Sequence, residues 1–161
     1  MQIDSRELRT ILGRFATGVC VITTVTPADK AVGLTANSFS SVSLEPPLVL
    51  WSLQNNSESY ADFARPQRYA INILTSDQEA LSTQYARKGD HELAAEHYSR
   101  GLFGNPILEG ALASFECELE TTHEAGDHLI IIGRVMAMEV RSTGDPLVFY
   151  SGAYRKLHGV I

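Results

Sequence analysis

Thiols are scarce in these 161 residues, only Cys20 and Cys117, and so is positive charge: 13 Lys and Arg stand against 19 Asp and Glu, a net −6. The shortage of cations argues against nucleic acid, whose phosphates need a basic face, and against an anionic membrane surface. Both cysteines lie in apolar segments, VCVI and FECEL. They read as buried thiols in a reducing cytoplasm, with a disulfide or redox pair as the alternative. The opening MQIDSRELRT lacks the apolar centre of a secretory signal, and no run approaches the ~20 apolar residues of a membrane-crossing helix. The expected location is cytoplasmic.

Several chemical signatures are missing as well. No G-x-G-x-x-G follows a strand, and neither G-x-x-x-x-G-K-[ST] nor G-x-S-x-G occurs. Rossmann, P-loop and nucleophile-elbow chemistry are therefore unsignalled. His91 and His97 are six apart, and His123 and His128 flank a hairpin turn, so no metal spacing appears and no metal is expected. Glu116, Glu118 and Glu120 alternate with apolar residues, the pattern of a solvated strand face.

What the chain does contain is a series of short strands. Leu8, Ile11, Leu12 and Phe15 recur at helical spacing and predict a helix over 4–17, capped by Asp4 with Glu7 and stopped by Gly18. A β-branched strand over 19–25 looks buried on both faces. Further strands are expected from Val32 into the polar run 35–41, and over 48–51, 69–74, 115–120, 128–140, 147–150 and 154–157. Ser57 caps a short helix to about Arg65, and Thr75 with Gln78 opens a helix to about Ala86. Residues 87–110 read as a long loop with some irregular helix. Many strands and few helices predict one domain over 1–161, mainly β (α+β), built as an antiparallel barrel with flanking helices.

Three stretches carry a resemblance. The first is Thr17-Gly18-Val19 followed by Gly33-Leu34-Thr35-Ala36-Asn37-Ser38-Phe39-Ser40-Ser41-Val42-Ser43-Leu44-Glu45-Pro46-Pro47-Leu48-Val49. The second is Gly126-Asp127-His128 followed by Ile132-Gly133-Arg134-Val135. The third is Pro146-Leu147-Val148-Phe149-Tyr150 with Gly152 and Tyr154. In this order they resemble the flavin reductase-like family, the reductase components of two-component flavin monooxygenases. The resemblance implies a Greek-key split barrel, a homodimer, and transfer of a hydride from NADH or NADPH to FMN or FAD, with reduced flavin passing to a partner monooxygenase. It also implies site residues. Gly33, Leu34, Thr35, Asn37 and Ser38 should line the flavin ring, and Ser52, Leu53 and Gln54 the ring or ribityl chain. Ser57 and Ser59 should approach the phosphate, and Gln84 and Tyr85 should close the cofactor side. His128 should meet the nicotinamide, with Phe149, Tyr150, Ser151 and Gly152 across that pocket.

The residue chemistry agrees, because a flavin edge needs small donors and acceptors on an apolar platform. Hydride transfer by positioning needs no side-chain acid or base, which fits a sequence without a triad. Without the resemblance, Asn37 and Ser38 are also turn-capping residues, Ser57 an N-cap, Tyr85 partly core, and His128 a strand-edge partner of Asp127. The segment 54–59 carries no cation, and Glu58 has the wrong sign for a phosphate. The phosphate would then fall to hydroxyls, amides or a distant Arg65 or Arg87. Modest affinity follows, with flavin as a substrate that comes and goes. Arg155 and Lys156 are candidates for a 2′-phosphate. A tightly bound flavin reducing a ferric chelate, and a non-catalytic binding module, stay open as alternatives.

Overall fold

The computed structural model describes residues 3–89 and 91–159. Twelve strands alternate with three α-helices among them: α1 (Ser5–Leu12), β1 (Thr17–Gly18), β2 (Cys20–Val25), β3 (Ala31–Ala36), β4 (Ser40–Leu44), β5 (Pro47–Gln54), α2 (Tyr60–Phe63), β6 (Arg68–Ile73), α3 (Glu79–Ala86), β7 (Tyr98–Arg100), β8 (Pro106–Leu108), β9 (Ala113–Ala125), β10 (His128–Val140), β11 (Val148–Tyr150) and β12 (Ala153–Arg155). Seven strands form the main sheet in the order β3-β2-β6-β9-β10-β5-β4, every pair antiparallel.

The order itself dictates a barrel. The two edge strands, β3 and β4, are consecutive in the chain and separated only by Asn37-Ser38-Phe39. Three residues reach at most ~10 Å, so the sheet must curl until its edges nearly meet. They do not pair, and the barrel is split there.

Burial explains why β2 is nearly all apolar or β-branched. Cys20 and Ile22 point into the barrel with Trp51, Phe63, Tyr69, Ile71 and Ile131. Val19 and Val21 point out, into a second core with Leu74, Tyr85, Leu93 and Leu147. Both faces are covered, as the run of β-branched residues predicts. Asn72, fully buried on β6, ties the layers together. Its amide nitrogen donates to the Val21 carbonyl and Thr23 Oγ1, and its oxygen accepts from Leu108 N and Ser114 Oγ. A small sheet, β1-β11-β12, flanks the barrel.

Four expectations need correction. The helix predicted over 4–17 stops at Leu12, because Thr17 and Gly18 are taken into β1 by pairing with β11. Asp4 caps it, accepting from Arg6 N and Glu7 N. Its apolar stripe is not core: Leu8, Ile11, Leu12 and Phe15 are 42, 60, 64 and 79% exposed. The strand drawn from Val32 to Ser41 is two strands, broken at the split. The loop over 87–110 contains a 3-10 turn (Ala95–His97) and the β7–β8 hairpin, and Asp90 within it lies outside the described residues. Glu116 is not on a solvated face: it is 5% exposed. Its Oε2 accepts from Phe103 N and Asn105 Nδ2, which pins the loop after β7. Among the described residues no helix is long and apolar enough to cross a membrane.

Candidate functional site

The split holds a cavity of about 420 Å³, within the size range of small-molecule sites. One wall is the end of β3 and the turn beyond it, Leu34 to Ser38. The opposite wall is β5 and the loop after it: Trp51, Ser52, Gln54, Asn56, Ser57 and Glu58. Ala86, Arg87, Lys88 and His91 close one end, and His128 stands on β10. Its place follows from register, since His128 pairs with Gln54 at the end of β5.

Hydrogen bonds brace these walls. Thr35 Oγ1 donates to the Ser82 carbonyl and fixes β3 on α3. Ser38 Oγ accepts from Ser52 N at 2.9 Å and donates back to Ser52 O, stitching the two sides of the split together. The side chains of Asn37, Ser52, Gln54 and Asn56 have no partner among the described residues, so an amide or hydroxyl from each is open to a ligand. The floor is Trp51, fully buried and packed edge-on against Phe63 and Tyr69. Its indole N–H makes no hydrogen bond within ordinary limits, and neither does the Tyr69 hydroxyl. Burial pushes the Tyr69 hydroxyl up, though Trp51 is near enough to pull against that rise. The phenol therefore stays neutral.

His128 is oriented. Its Nδ1 lies 2.7 Å from Asp127 Oδ1. That contact, then the histidine's charge, holds the Asp127 carboxyl below its usual range, with a lesser pull from Arg9 on α1. A carboxylate only accepts, so Nδ1 carries the hydrogen and Nε2 is the nitrogen left for a ligand.

Of the residues nominated from sequence, the cavity brings together Leu34, Thr35, Asn37, Ser38, Ser52, Gln54, Ser57 and His128. Nine others lie elsewhere. Gly33 is bonded to the next segment, its N–H donating to His91 O. Leu53 has the core-facing parity of β5 and is 1% exposed. Ser59 is buried at the start of α2, a helix of four residues, and its N–H donates to Ser57 Oγ. Tyr85 sits in the second core, its hydroxyl 2.7 Å from His97 Nδ1, while Gln84 on the same helix is exposed away from the cavity. Phe149, Tyr150, Ser151 and Gly152 belong to the flanking sheet and its turn. Tyr150 takes a hydrogen bond from Arg14, and Ser151 N donates to Gly13 O at the end of α1.

Two residues change the electrostatic picture. Arg87, named above only as a distant option, and Lys88, not foreseen, stand at the cavity. Basic residues ahead of a glycine at a helix end are ordinary in C-terminal capping, so Lys88 carries no distinct signal in the sequence. Arg65 does not line the cavity. The donor set thus offers cations at one end, uncommitted amides and hydroxyls along one edge, an aromatic floor, and an oriented imidazole.

Residues 12–158 match the family described as flavin reductase like domain. The chain is 43% identical over 157 residues to FMN reductase (NADH) SmoA of Agrobacterium fabrum, covering 94% of this chain and 85% of that protein. It is 38% identical over 152 residues to HsaB of Rhodococcus jostii, the reductase subunit of a flavin-dependent monooxygenase, covering 94% and 77%. Among solved structures, the NADH:FAD oxidoreductase SgcE6 of Streptomyces globisporus, in complex with NAD and FAD fragments, matches with a TM-score of 0.89 at 30% identity, covering 98% of this chain and 97% of that one.

Proposed function

Because the chain belongs to the flavin reductase-like family, we propose that it is an NAD(P)H:flavin oxidoreductase whose reaction takes place in the split of the barrel. The flavin, FMN or FAD, supplies the hydride acceptor, so that NAD(P)H, a proton and oxidised flavin give NAD(P)⁺ and reduced flavin. The fit of the cavity to such a group rests on its donor set.

The chain's residues have four tasks. Trp51, Leu34 and Ala36 form an apolar wall that excludes water from one ring face. Asn37, Ser52 and Gln54 bind the polar ring edge through groups that nothing else in the described fold uses. Arg87 and Lys88, with Ser57, hold the phosphate end. His128, set by Asp127, presents Nε2 to the nicotinamide carboxamide. The turn from Phe149 to Gly152 is assigned to the nicotinamide side by the family resemblance, and Ser151 N on it donates to Gly13 O at the end of α1. No side chain has to take up or release the hydride, and positioning is the protein's contribution.

The observation that carries this reading is the pairing of a cationic end with an oriented histidine across one cavity. Steady-state oxidation of NADH and of NADPH with FMN, FAD and riboflavin under air tests it. Turnover with at least one pair is expected, and none with any pair would overturn it. A purified yellow protein with stoichiometric flavin would favour a prosthetic flavin over one that leaves.

The same reading includes reduced flavin passing to a partner flavin-dependent monooxygenase, the setting of the HsaB relative, and residues 1–161 acting as one cytoplasmic domain. It also includes a homodimer. Met136, Met138 and Val140 project from alternate positions of β10 and are 41, 77 and 78% exposed. These residues and the exposed apolar residues of α1 are the surfaces we assign to a contact between copies. Sedimentation at micromolar concentration should give twice the chain mass.

A further inference from the structure

The segment that brings Arg87 and Lys88 to the cavity has two firm anchors. It leaves α3 at Ala86, with Arg87 already extended (φ −74°, ψ 153°). It rejoins the barrel at His91, whose carbonyl accepts from Gly33 N at 2.9 Å and whose Nδ1 lies 3.2 Å from Gly33 O. Between these points Gly89 turns the chain at φ +121°, a conformation side-chain-bearing residues rarely adopt. One bond ties this stretch to the facing wall among the described residues: Gly89 N donates to Glu58 Oε2 at 2.8 Å.

Glu58 belongs to the loop after β5, on the opposite side of the cavity. The bond therefore crosses the cavity end. By sign alone the carboxylate looks hostile to a phosphate, but its placement says otherwise. It is committed to a backbone amide, and it forms no ion pair with Arg87 or Lys88 within 4.0 Å. Both cations are left for an anionic ligand while the peptide that carries them is held. We propose that Glu58 is the positioning residue of the cationic end: by fixing Gly89 it sets Arg87 and Lys88 where a flavin phosphate lies. The proposal rests on the flavin reading of the cavity.

The two roles of Glu58 predict opposite signs. If it positions, Glu58→Ala frees the loop and weakens FMN, while Glu58→Gln still accepts the amide. If it merely repels, both variants tighten FMN. Flavin fluorescence quenching gives dissociation constants for FMN and for riboflavin, which has no phosphate. Glu58→Ala should bind FMN about tenfold more weakly, the scale of one charge-assisted hydrogen bond partly lost, with riboflavin unchanged. Glu58→Gln should stay within about twofold of wild type for both ligands. Glu58 is exposed, so folding is not at stake, and unchanged riboflavin binding confirms that. FMN affinity equal to or above wild type in Glu58→Ala would overturn the proposal, as would equal loss of both ligands. Arg87→Ala separates the premises. If it spares FMN, the cavity reading falls and the proposal with it. If it weakens FMN while Glu58→Ala does not, only the proposal falls.

Discussion

Replacing Gly133 with Ala should disturb the cavity from beneath. Gly133 lies on β10 between Leu119 of β9 and Val49 of β5. A Cβ there would sit 2.1 Å from the Tyr69 hydroxyl oxygen, 2.8 Å from its Cζ and 3.1 Å from Cys117 Cβ. Ordinary carbon contacts need ~3.5 Å, so the tyrosine must retreat by more than ~1 Å. It has no slack, being fully buried and edge-on to Trp51 with ring centroids 6.3 Å apart. Overpacking of this kind costs ~1–3 kcal/mol, and a clash against a rigid ring belongs at the upper end. For a chain of this size that lowers Tm by roughly 6–12 °C.

Tyr69→Phe sharpens the test. The hydroxyl is buried without a hydrogen bond, so its removal alone should be neutral or slightly stabilising. In the Gly133→Ala background it removes the 2.1 Å clash but leaves the ring carbon at 2.8 Å, so rescue should be partial. The coupling energy from denaturant melts of the four proteins should be ~1 kcal/mol or more. Because Trp51 floors the cavity, Gly133→Ala should also weaken flavin binding, and Tyr69→Phe should restore part of it. Melting of Gly133→Ala within ~2 °C of wild type would refute the argument, as would strict additivity of the pair.

Other outcomes follow from the same geometry. His128→Ala should raise KM for the nicotinamide more than for the flavin, and equal effects on both would remove His128 from the nicotinamide side. Asn72→Ala deletes four buried hydrogen bonds and strands their partners, so a denaturant midpoint equivalent to at least ~3 kcal/mol of lost stability is expected. Burial pushes the Cys20 thiol up to about 12, and burial followed by the Glu116 charge pushes Cys117 up to about 12. Neither should react with a disulfide reagent at pH 8 until the chain unfolds. Their linkage has a definite sign: the folded thiols keep protons that unfolded ones release above 9.0. The stability they contribute is full below about 9 and is lost as pH rises toward about 12, which alkaline titration of the denaturant midpoint would detect.

The sequence was readable where periodicity and burial coincide. β2 announced two covered faces because both are covered, by separate cores. The hairpin at Gly126 was visible because a turn residue with φ +64° sits between two long alternating runs. α1 misled because its apolar stripe is genuine at helical spacing, yet nothing among the described residues covers it. Periodicity reports that a face is apolar, not what lies against it. Glu116 misled for the complementary reason. Alternation on β9 assigned it to solvent, but the loop after β7 folds over it and supplies buried donors that only tertiary structure reveals.

The candidate site divides along the same line. Leu34, Thr35, Asn37 and Ser38 were nominated by the resemblance, and they line the cavity beside the barrel's split. Ser52 and Gln54 were nominated with Leu53 by the resemblance; the first two line the cavity, while Leu53 is buried in the barrel core. The cationic end was not legible, because it is assembled from two segments about thirty residues apart, and each misleads when read alone. Arg87 and Lys88 look like helix-end cations, while Glu58 looks like a misplaced anion. Only the Gly89 amide, which joins the two segments across the cavity, turns them into one arrangement. The segment 54–59 lacks a cation, yet the cavity it borders is lined by Arg87 and Lys88, for a physical reason. Charge at a site is a property of the space that several segments enclose, and here the anion in the local sequence holds in place the cations supplied from elsewhere.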